Sequence, residues 1–143
     1  MILTDANLLL YAYNASAPEH PRARTWLVDC LSRPEPFGLA WSSIAAFLRL
    51  STHAAVFPTP YSPAEAVQIV ESWLTRPMVV VVEPGGRYWP IARRLIEGAN
   101  ARGPLVPDAL LAALALEHGF TLATHDLDFR RFPGLATFDP LAA

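Results

Sequence analysis

Short apolar runs alternate with helix-periodic stretches from one end of the chain to the other, and this alternation constrains the fold more than any other feature. Residues 1–4 are apolar and stop at Asp5, and a helical stretch follows over 7–13. Ala23, Trp26, Leu27, Cys30 and Leu31 share one face of a helix over 19–31, which Pro34 and Pro36 end. Residues 37–41 read as a second strand and 42–52 as a helix. Ser62-Pro63-Ala64-Glu65 then supplies a capping box, with proline at the first helical position, for a helix reaching Leu74. The β-branched run over 78–82 reads as a fully buried strand, and Gly85-Gly86 leads into a helix over 87–99. Pro107 and Asp108 open a helix, apolar nearly all round, that stops at Gly119; strands follow over 121–124 and 136–138. Strands alternating with helices through short turns predict an α/β fold. Its form is a mainly parallel sheet of about five strands between two helical layers.

A chain of 143 residues with 52% hydrophobic content fits a single domain spanning 1–143 with one continuous core. No apolar run reaches the ~20 residues that span a bilayer, and the start lacks the features of a secretion signal, so a soluble, cytoplasmic protein without membrane contact is expected. The single cysteine, Cys30, has no partner for a disulfide and sits in an apolar helical pattern, as a small core residue does. The formal net charge is -2, so any contact with nucleic acid must come from local patches. The chain contains no lysine, which excludes mechanisms that stabilise phosphoryl oxygens with one. No glycine-rich turn follows the first strand, which excludes a dinucleotide-binding reading.

Acidic residues recur where strands end or helices begin: Asp5, Asp108, and Asp126 with Asp128. In an open α/β sheet such positions meet in one crevice. Carboxylates packed together repel and call for a hard divalent cation such as Mg²⁺ or Mn²⁺. A cation held this way suits phosphodiester hydrolysis. Spacing alone leaves a second reading open for each residue: Asp108 as a helix cap, and Asp126 or Asp128 as a solvated turn residue.

Pro107-Asp108-Ala109-Leu110-Leu111, continuing to Glu117-His118-Gly119, resembles the third acidic motif of PIN domains. Thr124-His125-Asp126-Leu127-Asp128-Phe129 resembles the fourth, and Asp5-Ala6-Asn7 the first. The likeness runs from Met1 to Phe132-Pro133-Gly134-Leu135 and is greatest to the VapC-like toxins of toxin-antitoxin pairs. It implies a five-stranded parallel sheet, a Mg²⁺ site of acidic residues that Mn²⁺ could also fill, endonucleolytic cleavage of RNA, a homodimer, and a cognate antitoxin that blocks the site. Carried over by position, Asp5 and Asp108 are the principal metal ligands, and Asp126 and Asp128 hold the metal directly or through water. Asn7 orients Asp5 or a bound water, or else caps the helix. The helices over 19–31 and 62–74, the latter with the apolar face of Val67, Val70, Trp73 and Leu74, form a candidate groove for an antitoxin segment, or that face is part of the core.

The second motif of the family places a glutamate in the helix after strand two, but this chain has Ala46 within Ala45-Ala46-Phe47-Leu48-Arg49. No acidic residue on that helix replaces it. Trp41 and the apolar helix around Ala46 read as one packed segment, which favours a native difference over an engineered one. The loss keeps a second reading open: a catalytically impaired PIN-like module that binds RNA or protein. Of the other residues, His125 reads as a flanking surface group, and Arg130-Arg131, Arg93-Arg94 and Arg49 as surface cations within reach of phosphate. Trp26, Trp41, Trp73 and Trp89 are expected in core or interface packing.

Overall fold

The computed structural model describes residues 1–142. In chain order the elements are β1 (Ile2–Thr4), α1 (Ala6–Tyr13), α2 (His20–Cys30), β2 (Phe37–Leu39), α3 (Trp41–Ser51) and α4 (Pro63–Leu74). They continue with β3 (Val79–Val81), α5 (Tyr88–Gly98), α6 (Leu105–His118), β4 (Thr121–Ala123), a 3-10 turn (Leu127–Arg131) and β5 (Thr137–Phe138). The five strands form one sheet in the order β3-β2-β1-β4-β5, with every neighbouring pair parallel. The predicted α/β architecture is present.

Strand periodicity explains the layering. On β1, Ile2 packs into a core supplied by α1 to α4, and the next residue, Leu3, packs into a core supplied by α5, α6 and the 3-10 turn. Helices therefore cover both faces. In the first core, Trp73 of α4 is wedged against Phe47 of α3 and Tyr13 of α1, and its indole Nε1 donates to the Tyr13 hydroxyl at 3.0 Å. Truncating a fully buried aromatic such as Phe47 to alanine costs about 3–5 kcal/mol, enough to unfold many domains of this size. Gly38 on β2 is needed for space, since a Cβ there would lie 2.8 Å from the carbonyl oxygen of Ile2.

The local signals hold at both ends of the helices. Ser62 and Glu65 form the reciprocal capping box, and Gly119 closes α6 in the left-handed conformation with φ 70°. Four expectations need correction. The run over 78–82 is not fully buried: β3 lies at the sheet edge and Val80 is 41% exposed. Residue 41 opens α3 rather than closing the second strand. Helix α6 begins at Leu105, ahead of Pro107, because proline is tolerated in a first turn where its missing N–H is not needed. Finally, the tryptophans divide, with Trp73 buried but Trp41 and Trp89 exposed at 53% and 62%.

On α4, Val70 and Trp73 are core residues and Val67 is exposed, so most of the face considered for a partner is already covered by the protein itself. No helix is long and apolar enough to cross a membrane among the described residues.

Candidate metal centre

The chain leaves β1 toward β2 on one side and reaches β4 on the other, so the carboxyl ends of β1 and β4 border the point where the winding reverses. Ligands of open α/β sheets bind at such points. Asp5 follows β1 directly, and its N–H donates to the Ala123 carbonyl of β4 at 3.0 Å, extending the ladder by one residue. Its side chain is directed inward; the residue is only 7% exposed.

Thr124 ties the two strand ends together. Its hydroxyl donates to Asp5 Oδ2 at 2.8 Å and accepts from the Asp126 N–H at 3.0 Å. Asp126 Oδ1 in turn accepts from the Asp128 N–H at 2.9 Å, which caps the 3-10 turn. Phe129 anchors this turn by inserting into the second core, where it meets Phe132 edge-on. Two acidic side chains two residues apart are thus fixed on one rigid corner.

Asp108 enters from the first turn of α6. It does not cap that helix, which starts three residues earlier with Pro104 at the cap position, so the alternative role left open for it is not the one it has. One carboxylate oxygen from each of Asp108, Asp126 and Asp128 lies within 4.8 Å of the others. Asp5 is not part of that triangle and sits deeper, beside it. Asn7 lies on the exposed first turn of α1, and no side-chain hydrogen bond links it to Asp5. Instead its backbone N–H, with that of Ala6, favours the charged form of Asp5.

The electrostatics follow from this crowding. Burial first, then the fields of Asp5, Asp126 and Asp128, push the Asp108 carboxyl up to about 6. Burial also raises Asp5; the Thr124 hydrogen bond opposes this, and the field of Asp126 adds to it. The phenol of Tyr11 on α1 is held above its ordinary value by burial, then by Glu19, Asp5 and Asp126, which places it among the residues that sense the cluster. Among the described residues, Arg131 is in ion-pair contact with the cluster, its Nε 3.8 Å from Asp128 Oδ1, a long and exposed contact. Four carboxylates without adequate compensation, offering oxygen donors only, fit a hard divalent cation.

Helix α3 contributes no carboxylate. Ser43 of its first turn donates to the Thr4 carbonyl at 3.3 Å, beside Asp5, and Ala46 lies one turn further on, partly buried. His125 is held away by Asp139, with Nδ1 and Oδ2 2.9 Å apart. Residue-by-residue reading missed Thr124 and Tyr11. Thr124 lay inside the fourth motif, but no pattern in the sequence marked Tyr11.

Reading the sequence also gave no role to Glu117, at the far end of α6. Its carboxylate accepts from the N–H groups of Gly85 at 2.7 Å and Arg87 at 2.9 Å, and the Arg87 guanidinium donates to its carbonyl at 2.7 Å. The Gly85 N–H above all holds this carboxyl below its usual range.

A family model described as PIN domain matches residues 2–135. Ribonuclease VapC37 of Mycobacterium tuberculosis is 39% identical over 142 residues, covering 99% of this chain and 99% of that protein. Two solved structures share the fold at lower identity. VapC20 of M. tuberculosis, a toxin that cleaves the sarcin-ricin loop, superposes with a TM-score of 0.68 at 18% identity, covering 91% of this chain and 93% of that one. A toxin-antitoxin complex from Klebsiella pneumoniae gives 0.64 at 18% identity, with 98% of each chain covered.

Proposed function

The chain belongs to the PIN-domain family, and on that premise we propose that it is a metal-dependent endoribonuclease, the toxin of a toxin-antitoxin pair. The observation that carries the reading is the triangle of Asp108, Asp126 and Asp128 with Asp5 behind it, a concentration of negative charge that a bound cation would relieve at neutral pH. A bound Mg²⁺ or Mn²⁺ would supply Lewis-acid stabilisation of charge on a phosphodiester and lower the pKa of a coordinated water.

The chain's own residues have separate tasks in this reading. Asp108, Asp126 and Asp128 present oxygens to the cation. Asp5, kept in place by Thr124, would add charge beside them and could supply a further oxygen ligand. Asn7, at the exposed rim, orients a bound water. Burial of Asp5 under the first turn of α1 excludes bulk water from the inner side of the site, which strengthens every charge interaction there.

The remaining parts of the proposal follow from the length and composition of the chain and from the family resemblance. The unit is a single domain over 1–143, works in the cytoplasm as a homodimer, and is restrained by an antitoxin that covers the carboxylates. Because α3 offers Ala46 where a glutamate is expected, one cation is bound tightly and a second only alongside the RNA phosphate. A binding module without catalysis is the second reading, and Ala46 is the observation that favours it.

Purified protein incubated with single-stranded RNA and Mn²⁺ or Mg²⁺ is expected to cleave, and EDTA to stop it. Calorimetric titration should find a Mn²⁺ site. Binding of Mn²⁺ without cleavage would select the module, and absence of both would end the proposal.

A further inference from the structure

An uncharged cavity of about 390 Å³ lies between the first turn of α3 and the first three turns of α6. Trp41, Tyr88, Pro107, Leu110, Leu111 and Leu114 line it. Two of its walls continue into the metal centre. Pro107 is bonded to Asp108, and the α3 turn that carries Trp41 also carries Ser43, whose hydroxyl reaches the Thr4 carbonyl next to Asp5.

Trp41 is 53% exposed here, an uncommon state for the largest apolar side chain at a helix start. Its ring is also held: Nε1 donates to Glu83 Oε1 at 3.4 Å. The Glu83 carbonyl in turn lies 2.8 Å from His118 Nε2 on α6. The indole nitrogen is therefore engaged while about half of the residue remains exposed. Tyr88 offers a second ring.

We propose that this cavity takes one nucleobase of the RNA, stacked on Trp41, next to the phosphate that a cation at the carboxylates would hold. The inference rests on the ribonuclease reading above and names where that substrate is gripped. The lining favours a base over the backbone, since none of the residues lining the cavity carries a charge to pair with phosphate, and Glu83 at the rim repels it. An aromatic face accepts any base, because every base has a π-face. The volume falls at the lower end of the ~300–1,000 Å³ typical of small-molecule sites, room for one ring system and not for a helix.

The test uses the full chain and fluorescein-labelled single-stranded RNA, first in EDTA by anisotropy and then with Mn²⁺ by cleavage. Trp41→Ala is expected to weaken RNA binding about tenfold, the scale of one lost base stack, and Trp41→Phe to keep most of it. In cleavage the loss should enter KM and leave kcat nearly unchanged, because stacking away from the reacting phosphate is equal in ground and transition states. RNA with one abasic position next to the cut should bind the parent weakly and show no further loss with Trp41→Ala.

The abasic RNA measured on the parent alone needs no substitution in the protein. Equal RNA affinity for the parent and Trp41→Ala, or an abasic penalty that persists in the variant, would overturn the proposal. So would a Trp41→Ala protein that holds RNA normally but loses its grip on the protein encoded beside it, since the cavity would then belong to that partner. Trp41-dependent RNA binding without any metal-dependent cleavage would leave the base site standing and remove the nuclease reading instead.

Discussion

Helix α6 carries an acidic side chain in its first turn and another in its last, and the two are electrostatic opposites. Asp108 shares its surroundings with three further carboxylates and is pushed up to about 6 by burial and their fields. Glu117 receives two backbone N–H groups and is held below its ordinary value, chiefly by that of Gly85. The same helix thus pins a loop with a satisfied carboxylate and presents an unsatisfied one to a ligand. A carboxylate provided with donors serves the fold. One placed among its own kind weakens the fold and is retained for what binds there.

The largest expected effect separates the two ends by activity. Asp108→Asn should reduce metal-dependent RNA cleavage at least about 100-fold, since each 1.36 kcal/mol of lost stabilisation is tenfold in rate and a metal ligand contributes several. Glu117→Gln should leave the rate per folded molecule unchanged. Similar losses in both would erase the distinction.

Stability should separate them with the opposite sign. Glu117→Ala strands the donors of Gly85 and Arg87 and lowers the urea midpoint, whereas Asp108→Asn removes repulsion and raises the midpoint of the metal-free protein near neutral pH. Parallel unfolding curves for the two variants and the parent would show that the partners observed at each end have no energetic weight.

The pH dependence sharpens this further. The folded state raises Asp108, so the stability tied to that group is complete below its ordinary 3.8 and is lost as pH rises through about 6. The folded state lowers Glu117, so its contribution is present above its ordinary 4.5 and is lost as pH falls through the lowered value. Thermal melts of the metal-free protein should therefore decline toward neutral pH. Saturating Mn²⁺ or Asp108→Asn should flatten that decline, and neither should alter the loss on the acid side. A decline that survives Asp108→Asn would assign it elsewhere.

The smallest effect tests the missing glutamate. Ala46→Glu should raise the Mn²⁺ stoichiometry from one toward two and lower the metal concentration needed for cleavage, provided the longer chain fits. Two strong sites in the parent would show that another residue already does this work.

The sequence made the sheet and its carboxylates legible because both leave local marks. Asp5 ends an apolar run, Asp126 and Asp128 follow another, and Gly119 stops a helix. The exposed side of β3 was not legible, because Val79 to Val81 is apolar wherever the strand lies in the sheet, and edge position is decided by neighbours far away in sequence. Glu117 was missed for a related reason: its partners are backbone N–H groups 30 and 32 residues away, and backbone donors have no letter. Trp41 fits the apolar pattern of its helix, so periodicity assigned it to packing, while its place at the first position of α3, on the cavity wall, leaves it half exposed.

The order β3-β2-β1-β4-β5 places the first strand in the middle of the sheet, and Thr124 meets Asp5 across 119 residues of chain. During synthesis Asp5 emerges first and waits for almost the whole polypeptide before its neighbours exist. No partial product ending before residue 121 has β4, the 3-10 turn, or two of the four carboxylates. A chain of this order lacks half of its four clustered carboxylates until residues 126 and 128 have been made. Such long-range closure is slow to fold.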